Sequence, residues 1–147
     1  MESIGRYSAA IHRLSQSLFN YKLMELGISS GQYDFFIVIA RNEGISQKGI
    51  CDHLYVDKST TAKAVRNLLD KGYIYNKQLE RDKRYSSLYL TEKGRKAAVT
   101  VEAVFAEMME IFARDIAEST VEQTIEVLKQ VIGNLQEEKR QYISESL

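Results

Sequence analysis

Residues 46–72, SQKGICDHLYVDKSTTAKAVRNLLDKG, decide the fold of this chain. The stretch predicts two short helices, over 46–54 and 57–71, because Ser46 and Asp57 both stand where the first turn of a helix needs a side-chain acceptor. The turn left between the two helices is very short. Two helices joined in this way are typical of a helix-turn-helix motif.

A β-hairpin is expected directly after this motif. Gly72 readily adopts the left-handed conformation that closes many helices. The segments 73–79 (YIYNKQL) and 85–90 (YSSLYL) are rich in aromatic residues and alternate in part with a period of two, which predicts antiparallel strands. This order indicates a winged helix-turn-helix. Its second helix fits a DNA major groove of matching width, and its hairpin reaches along the backbone.

Long amphipathic helices are expected at both ends of the chain. One apolar stripe, with steps of three and four residues, predicts a first helix that ends at Gly27: Ile4, Tyr7, Ile11, Leu14, Leu18 and Tyr21. A second stripe predicts a last helix: Ile125, Leu128, Ile132, Leu135 and Tyr142. Both exceed what the central lobe can cover, so a homodimer is expected. Packing of part of each stripe against the helix before the last one is the alternative.

Caps predict where the remaining helices begin. Ser29 with Gln32 fits a capping box, Thr91 is placed to cap a helix that runs to about 114, and Ser119 with Glu122 fits a second capping box. The expected fold class is mainly α with a small β-hairpin wing. It forms a single domain, 1–147, in which a winged helix-turn-helix lobe (29–96) lies between long N- and C-terminal dimerisation helices (1–26 and 97–147).

Composition excludes several classes of function. The chain has one cysteine and two histidines, His12 and His53, at no metal-binding spacing, so no disulfide, metal site or cofactor is expected. Because it lacks a Gly-rich phosphate loop, a G-x-S-x-G elbow and an H-E-x-x-H motif, we expect no enzyme. It also lacks a signal peptide and an apolar run long enough for a bilayer, which predicts a cytoplasmic protein without a membrane partner.

The net charge of zero conceals a zoned distribution. Residues 57–96 hold eleven Lys and Arg against five Asp and Glu, whereas residues 97–147 hold four against ten. We expect the basic zone to face a polyanion, here double-stranded DNA, and the acidic zone to lie away from it. Simple solvation of helix faces is the alternative.

The second helix of the motif carries the candidate DNA contacts. Its inward side chains are expected to be Ala62, Val65, Leu68 and Leu69. The candidate contacts are Lys58, Ser59, Thr60, Thr61, Lys63 and Arg66 in this helix, Ser46 and Lys48 at the DNA backbone, and Arg81, Asp82, Lys83 and Arg84 in the wing. The basic wing tip is suited to a narrow minor groove. For Ser59, Thr60 and Lys63, capping or solvation is the alternative.

The stretch GISQKGICDHLYVDKSTTAKAVRNLLDKGYI, the tip RDKR and the following LYLTEKGRKA resemble the MarR family of bacterial winged-helix regulators. The resemblance covers residues 29–96. It implies an obligate dimer on pseudo-palindromic DNA, commonly a repressor that a small molecule or an oxidant releases. In the family's D-x-R motif, Asp82 would pair with Arg84 or cap the loop and direct the guanidinium before DNA binds. The second helix of the motif differs from the usual family sequence at Thr61-Ala62-Lys63, so the resemblance implies no preference for particular bases.

The resemblance also implies a cleft for a small-molecule effector. The side chains that could face it are Tyr7, Ile11, His12, Tyr21, Tyr33, Phe36 and Phe112, with core packing as the alternative for each. Cys51 could sense oxidants or could be a buried, inert thiol. We therefore interpret the chain as a homodimeric, ligand-responsive, sequence-specific DNA-binding regulator. A protein-interaction adaptor and a redox-sensing regulator that uses Cys51 are the alternatives.

Overall fold

The computed structural model describes residues 2–29, 31–79 and 82–146, except for the side chains at 79 and 82–85. The elements are α1 (Ile4–Leu23), a short 3-10 turn (Met24–Leu26), α2 (Tyr33–Arg41), α3 (Gln47–Leu54), α4 (Lys58–Asp70), β1 (Ile74–Leu79), β2 (Asp82–Leu90), α5 (Glu92–Ala113) and α6 (Glu118–Ser146). They fall into two compact units, 1–108 and 109–147. The predicted fold class, mainly helical with one hairpin, is confirmed.

Three of the predicted helix starts carry the expected caps. The Ser46 hydroxyl accepts the Gly49 N–H at 3.0 Å, and the Asp57 carboxylate accepts the Thr60 N–H at 2.7 Å. The Thr91 hydroxyl accepts the N–H of Gly94 at 3.0 Å. These bonds satisfy backbone donors that the first turn of a helix leaves without a partner, so they fix where α3, α4 and α5 begin.

The two predicted capping boxes are wrong. No side chain in the described part of the chain caps α2, which begins at Tyr33, and the Gln32 side chain instead accepts a hydrogen bond from the Lys71 ammonium at 3.2 Å. The helix α6 begins at Glu118, so Ser119 lies inside its first turn. A capping box needs its Ser or Thr just outside the helix, and both helices start elsewhere than the motif requires.

The wing is a two-stranded antiparallel sheet in which Ile74 pairs with Leu90 and Asn76 with Leu88. Its register is irregular between Gln78 and Leu79. The second strand begins three residues earlier than the predicted 85, because the paired region continues to Asp82. The hairpin prediction is otherwise confirmed.

The core of the unit formed by 1–108 lies between α2, α3, α4 and the base of the wing. Fully buried side chains from each of these elements meet there: Phe36, Ile39, Ile50, Leu68 and Leu88. The first helix contributes Phe19 and Leu23 from its C-terminal half. Its buried face is therefore a different one from the apolar stripe seen in the sequence.

The apolar stripe of α1 is exposed throughout. Its members keep 40–72% of their surface: Ile4, Tyr7, Ile11, Leu14, Leu18 and Tyr21. In the other unit, none of the described residues of α6 is buried. Its stripe is exposed except at the half-buried Ile132, with Leu135 at 65% and Tyr142 at 73%. Packing within the chain therefore leaves both stripes largely uncovered. None of the helices in the residues that the structure describes has the length and hydropathy needed to span a bilayer.

Ion pairs attach α5 to three earlier parts of its unit: Arg95–Glu43 (3.2 Å), Arg41–Glu102 (2.7 Å) and Lys22–Glu107 (2.6 Å). The Arg41 guanidinium binds Glu102 through two nitrogens and lies 4.7 Å from the centre of the Phe105 ring. Its hydrogen bonds lower the pKa of the Glu102 carboxyl, and the same bonds raise the pKa of Arg41. Exposed pairs contribute little individually, but the bidentate geometry gives this one a defined direction.

The start of α5 approaches the end of the helix-turn-helix too closely for a side chain at Gly94. A Cβ there would lie 2.0 Å from the Tyr73 carbonyl oxygen. We expect Gly94→Ala to lower the free energy of unfolding by about 1–3 kcal/mol, the usual cost of overpacking. Urea denaturation followed by circular dichroism, at a fixed protein concentration, measures the change.

The matched control is Gly133→Ala in α6, where an added Cβ would meet no neighbouring group within 4 Å. Alanine is the better helix former by about 0.5–1 kcal/mol, so this variant should be slightly more stable. Equal effects of the two substitutions would contradict the close approach of α5 to Tyr73.

Candidate nucleic-acid interface

The turn between α3 and α4 consists of Tyr55, Val56 and Asp57. Tyr55 adopts the left-handed conformation, with φ of 56°, and its N–H donates to the Cys51 carbonyl oxygen. The N–H of Val56 donates to the same oxygen at 3.3 Å. A left-handed residue closes a helix in a single step, which is why so short a turn suffices.

Asp57 organises the first turn of α4. Its carboxylate accepts the Ser59 hydroxyl at 3.2 Å in addition to the Thr60 N–H. The Ser59 hydroxyl thus donates to the capping carboxylate and is not itself the cap, and its oxygen retains acceptor capacity. The side chains of Ser59 and Thr60 are both exposed at the N-terminal end of α4.

Thr61, a predicted DNA contact, is buried and does not face outward. Its exposed fraction is 0%, and its hydroxyl donates to the Asp57 carbonyl oxygen at 3.0 Å. The same hydroxyl accepts the Cys51 thiol at 3.2 Å, which joins α3 to α4. The prediction for Thr61 is therefore corrected. This side chain holds the two helices of the motif together.

The outer face of α4 carries the other five predicted contacts, all of them exposed: Lys58, Ser59, Thr60, Lys63 and Arg66. Of the four side chains expected to point inward, Val65 and Leu68 are buried, whereas Ala62 and Leu69 are half-buried. The helix thus presents hydroxyls at its N-terminal end and two long cations, Lys63 and Arg66, one turn further on. Hydroxyls and cations are the groups that bind phosphates and guanine edges.

The two predicted backbone contacts lie at the start of α3. Ser46 is exposed, and its hydroxyl oxygen caps the helix. The Lys48 ammonium lies 3.1 Å from the Asp52 carboxylate, and the two side chains keep 82% and 67% of their surface. Because such exposed pairs are weak, Lys48 is free to exchange this carboxylate for a phosphate.

The wing tip predicted to enter the minor groove is only partly described. Arg81, together with the side chains of Asp82, Lys83 and Arg84, lies outside the described residues. Lower in the wing, the rings of Tyr75 and Tyr89 stack at 5.6 Å beside the exposed Lys77. None of these three residues is among the predicted contacts, although the alternation along β1 places Tyr75 and Lys77 on one side.

The seven side chains proposed for an effector cleft do not share one environment. Tyr33 and Phe36 are core residues, since the Tyr33 ring stacks on Phe19 at 3.8 Å and the Phe36 ring meets Tyr73 edge-on at 5.8 Å. Burial raises the pKa of Tyr33, and the neighbouring Asp34 raises it further. The other members are exposed: Tyr7, Ile11, His12 and Tyr21 on α1, and Phe112 in the second unit.

A cavity of about 500 Å³ lies elsewhere, at the junction of the 3-10 turn, the start of β1 and the start of α5. Its lining consists of Leu26, Tyr73, Glu92, Lys93, Lys96 and Ala97, which includes none of the seven proposed residues. The Tyr73 hydroxyl donates to the Leu26 carbonyl oxygen across it, and the Lys93 ammonium lies 4.5 Å from the Tyr73 ring centre. Within the described residues, no group of His, Cys, Asp and Glu side chains is arranged to hold a metal ion.

Comparison with known proteins shows that this chain is similar to transcriptional regulators. The sequence family named MarR matches residues 26–84. The HTH-type transcriptional regulator BilQ of Clostridium symbiosum (strain WAL-14163) is 31% identical over 132 residues, which cover 89% of this chain and 92% of BilQ. The uncharacterised HTH-type transcriptional regulator YybA of Bacillus subtilis (strain 168) is 33% identical over 96 residues, covering 65% of this chain and 64% of YybA, less than two thirds of that protein.

Similarity extends to the three-dimensional structure. The complex of a MarR family protein from Listeria monocytogenes with 26mer DNA superposes with a TM-score of 0.84 at 28% identity. The match covers 92% of this chain and 90% of the Listeria chain. A relative solved with DNA therefore shares the arrangement of elements that presents α4 and the wing.

Thr61 provides a test of the corrected helix-turn-helix. We expect Thr61→Val to lower the free energy of unfolding by about 1 kcal/mol, since the change keeps the volume and removes a buried, hydrogen-bonded hydroxyl. Thr60→Val is the matched control, because Thr60 lies one residue earlier and is exposed. It should change stability by no more than about 0.5 kcal/mol. Thermal or urea unfolding measures both, and a larger loss at Thr60 would refute the inward placement of Thr61.

Proposed function

We propose a function on the premise that the chain belongs to the MarR family of transcriptional regulators. It binds double-stranded operator DNA as a homodimer and inserts α4 of each subunit into a major groove. The single observation that carries this proposal is the exposed outer face of α4. There, Ser59, Lys63 and Arg66 project from a helix whose start is fixed by the Asp57 cap.

The charges of this surface support binding to a polyanion. Long cations reach phosphates or guanine edges, while hydroxyls at the start of the helix bind phosphate oxygens or base edges. An α-helix with its side chains is about 10–12 Å wide, which matches a major groove of about 12 Å. Because the cap fixes the start of α4, the helix backbone that carries these side chains is formed before DNA arrives, and less backbone entropy is lost on binding.

A second copy of the chain is proposed to cover the apolar stripes of α1 and α6. Each stripe is exposed by itself, with Leu14 at 69% and Leu135 at 65%, and burial of such side chains is the main driving force for association. Dimerisation also serves DNA binding, since two recognition helices one helical turn apart bind a palindromic site far more tightly than one helix.

The wing is proposed to extend the contact along the DNA backbone and into the minor groove. Arg81, Lys83 and Arg84 supply the positive charge in the sequence, and Asp82 is proposed to direct Arg84. Narrow minor grooves concentrate negative potential and attract arginine. The order of the elements supports this role, because the hairpin follows α4 after three residues.

Repression and release by a small molecule form the finer part of the proposal. Support comes from the family resemblance together with the cavity of about 500 Å³, whose lining is partly apolar and partly polar and includes Tyr73, Lys93 and Glu92. A cytoplasmic location and the absence of catalytic activity complete the proposal, in line with relatives that are named as transcriptional regulators.

Two alternatives have weaker support. An adaptor that binds proteins through the same lobe would not require the basic zone of residues 57–96. A redox sensor would require a reactive thiol, whereas the Cys51 thiol is half-buried and donates to the buried Thr61 hydroxyl. Both observations favour DNA binding with Cys51 as part of the motif's packing.

Substitution of the exposed cations of α4 tests the DNA contact. On an operator selected from a random DNA library, Lys63→Ala and Arg66→Ala should each weaken binding by about 1–3 kcal/mol if the side chain reads a base. If it binds a phosphate, the dependence of log K on log salt should become shallower by about one unit. Titrations by fluorescence anisotropy at several salt concentrations separate the two cases.

The control for these variants is Lys129→Ala, which removes an exposed lysine from α6. It should leave both the affinity and the salt dependence unchanged. Wild-type affinity of both α4 variants at equal salt would exclude α4 as the recognition helix, and the absence of any selected operator would favour the adaptor.

Charges placed in the apolar stripes test the dimer. Leu14→Asp and Leu128→Asp should each shift the chain toward monomer in sedimentation equilibrium, because both side chains are exposed within one chain and would be buried by the partner. Arg13→Gln in α1 alters the net charge by the same single unit at an exposed position outside the stripe, and should remain dimeric. A Leu14→Asp variant that stays dimeric would exclude the α1 stripe from the interface.

A further inference from the structure

We propose that Glu43 is a positioning residue for DNA binding, which holds the base of the wing at a fixed angle to the helix-turn-helix. It lies in the loop between α2 and α3, outside the segments proposed to touch DNA. The inference rests on the proposed function, and its test separates its failure from the failure of DNA binding itself.

The Glu43 carboxylate binds two consecutive elements that both lie far from it in sequence. One oxygen accepts the N–H of Leu90, the last residue of β2, at 2.9 Å. The other accepts a hydrogen bond from the Arg95 guanidinium of α5 at 3.2 Å. The Glu43 side chain is 29% exposed, so these bonds are partly shielded from water. One side chain thus ties the loop between α2 and α3 to the end of the wing and to the start of α5.

The bond to Leu90 continues a ladder along the free edge of β2. The Gly44 N–H donates to the Leu88 carbonyl oxygen at 2.8 Å, and the Leu88 N–H donates to the Ile45 carbonyl oxygen at 3.0 Å. Backbone groups that face one edge of a strand recur every second residue, so the Leu90 N–H is the next donor on this edge. The Glu43 carboxylate takes the place that a further backbone carbonyl would occupy in a longer third strand.

The backbone at Gly44 allows this arrangement. Gly44 has a φ of +95°, and a Cβ there would lie 3.3 Å from the Tyr89 hydroxyl. The chain therefore turns sharply beneath the Tyr89 ring, and the adjacent carboxylate reaches the strand edge. A residue with a side chain at this position would be strained by its conformation and crowded by the tyrosine.

A small rotation at the base of the wing produces a large displacement of its distal end. A strand of the length of β1 spans roughly 20 Å, so a rotation of about 10° at the base moves the far end by roughly 3 Å, the length of a hydrogen bond. Ser46, the cap of α3, follows the 43–45 loop directly. The loop therefore sets the wing and the helix-turn-helix relative to each other, and both must fit the same DNA at once.

The alternative is an exposed ion pair without functional effect. The Arg95 side chain is 60% exposed, and a pair of this kind is worth little by itself. The Leu90 N–H is different, because its residue is only 5% exposed and water has limited access to replace a missing acceptor. The positioning role therefore depends on an oxygen acceptor at residue 43 more than on its charge.

Two footprints on one operator distinguish a displaced wing from a general loss of binding. Hydroxyl-radical cleavage reports protection in the flanking minor grooves, where the wing is proposed to lie, and dimethyl sulfate reports protection of guanine N7 in the major groove, where α4 is proposed to lie. The full-length proteins compared are the wild type, Glu43→Ala, Glu43→Gln and Arg41→Met. Arg41→Met is the matched control, since it removes the Arg41–Glu102 pair on the same α5 without touching the wing.

We expect Glu43→Ala to lose the flanking hydroxyl-radical protection, to keep the guanine N7 protection, and to bind about tenfold more weakly. The slope of log K against log salt should fall by about one unit for each phosphate that the displaced wing no longer neutralises. Glu43→Gln keeps an oxygen acceptor for the Leu90 N–H and should retain most of the flanking protection. Arg41→Met should match the wild type in both footprints.

Circular dichroism establishes that each variant is folded. Should Glu43→Ala not fold, Glu43→Met takes its place, because it also removes the oxygen acceptor of the Leu90 N–H while keeping an unbranched side chain of similar length. It should lose the flanking protection in the same way. Two results with a folded Glu43→Ala protein would overturn the proposal: wild-type footprints, or equal loss of both footprints. A wild-type protein that protects only the major groove would overturn it as well. A wild-type protein that gives neither footprint would instead refute DNA binding.

Discussion

The way in which α4 begins is the constraint on which the remaining structure depends. Asp57 accepts the Thr60 N–H with its side chain, and its backbone carbonyl accepts the Thr61 N–H and the Thr61 hydroxyl. Because successive residues of a helix are rotated by about 100°, the choice of its first residue determines which side chains point inward. With Asp57 as the cap, Thr61 and Val65 face the core, while Lys63 and Arg66 face away from it.

Packing and hydrogen bonds within the unit formed by 1–108 fix α4 and the wing relative to each other. Leu68 and Leu88 are fully buried in one core, and the 43–45 loop binds the outer edge of β2 by backbone and side-chain hydrogen bonds. At the other end of the motif, Gly94 lets α5 approach the Tyr73 carbonyl oxygen. A rigid lobe loses little entropy on binding, which is the physical advantage of such packing in a protein that recognises a surface of fixed shape.

Sequence patterns identified the elements well and individual side chains less well. Ser46, Asp57 and Thr91 were recognised as caps because a helix start needs a local acceptor, and that requirement is met within three or four residues of chain. The capping box at Ser119 was wrong because the motif occurs by chance inside the first turn of a helix as well as before it. Thr61 was assigned the wrong environment and its neighbour Ala62 is only half-buried, since hydroxyl or methyl character does not show which of two adjacent small residues lies inward.

The sequence by itself determined the class of fold, the order of the elements and the positions of the main caps. It also determined the apolar stripes that exceed the needs of one chain, and the concentration of positive charge around the second helix of the motif. All of these depend on neighbours in the chain or on summed composition. Only the tertiary structure decided that Thr61 is buried, that Tyr33 and Phe36 belong to the core, that a cavity opens beside Tyr73, and that Glu43 meets Leu90, 47 residues away. Those contacts join segments whose separation in sequence carries no periodic signal, so they arise only when the lobe is packed.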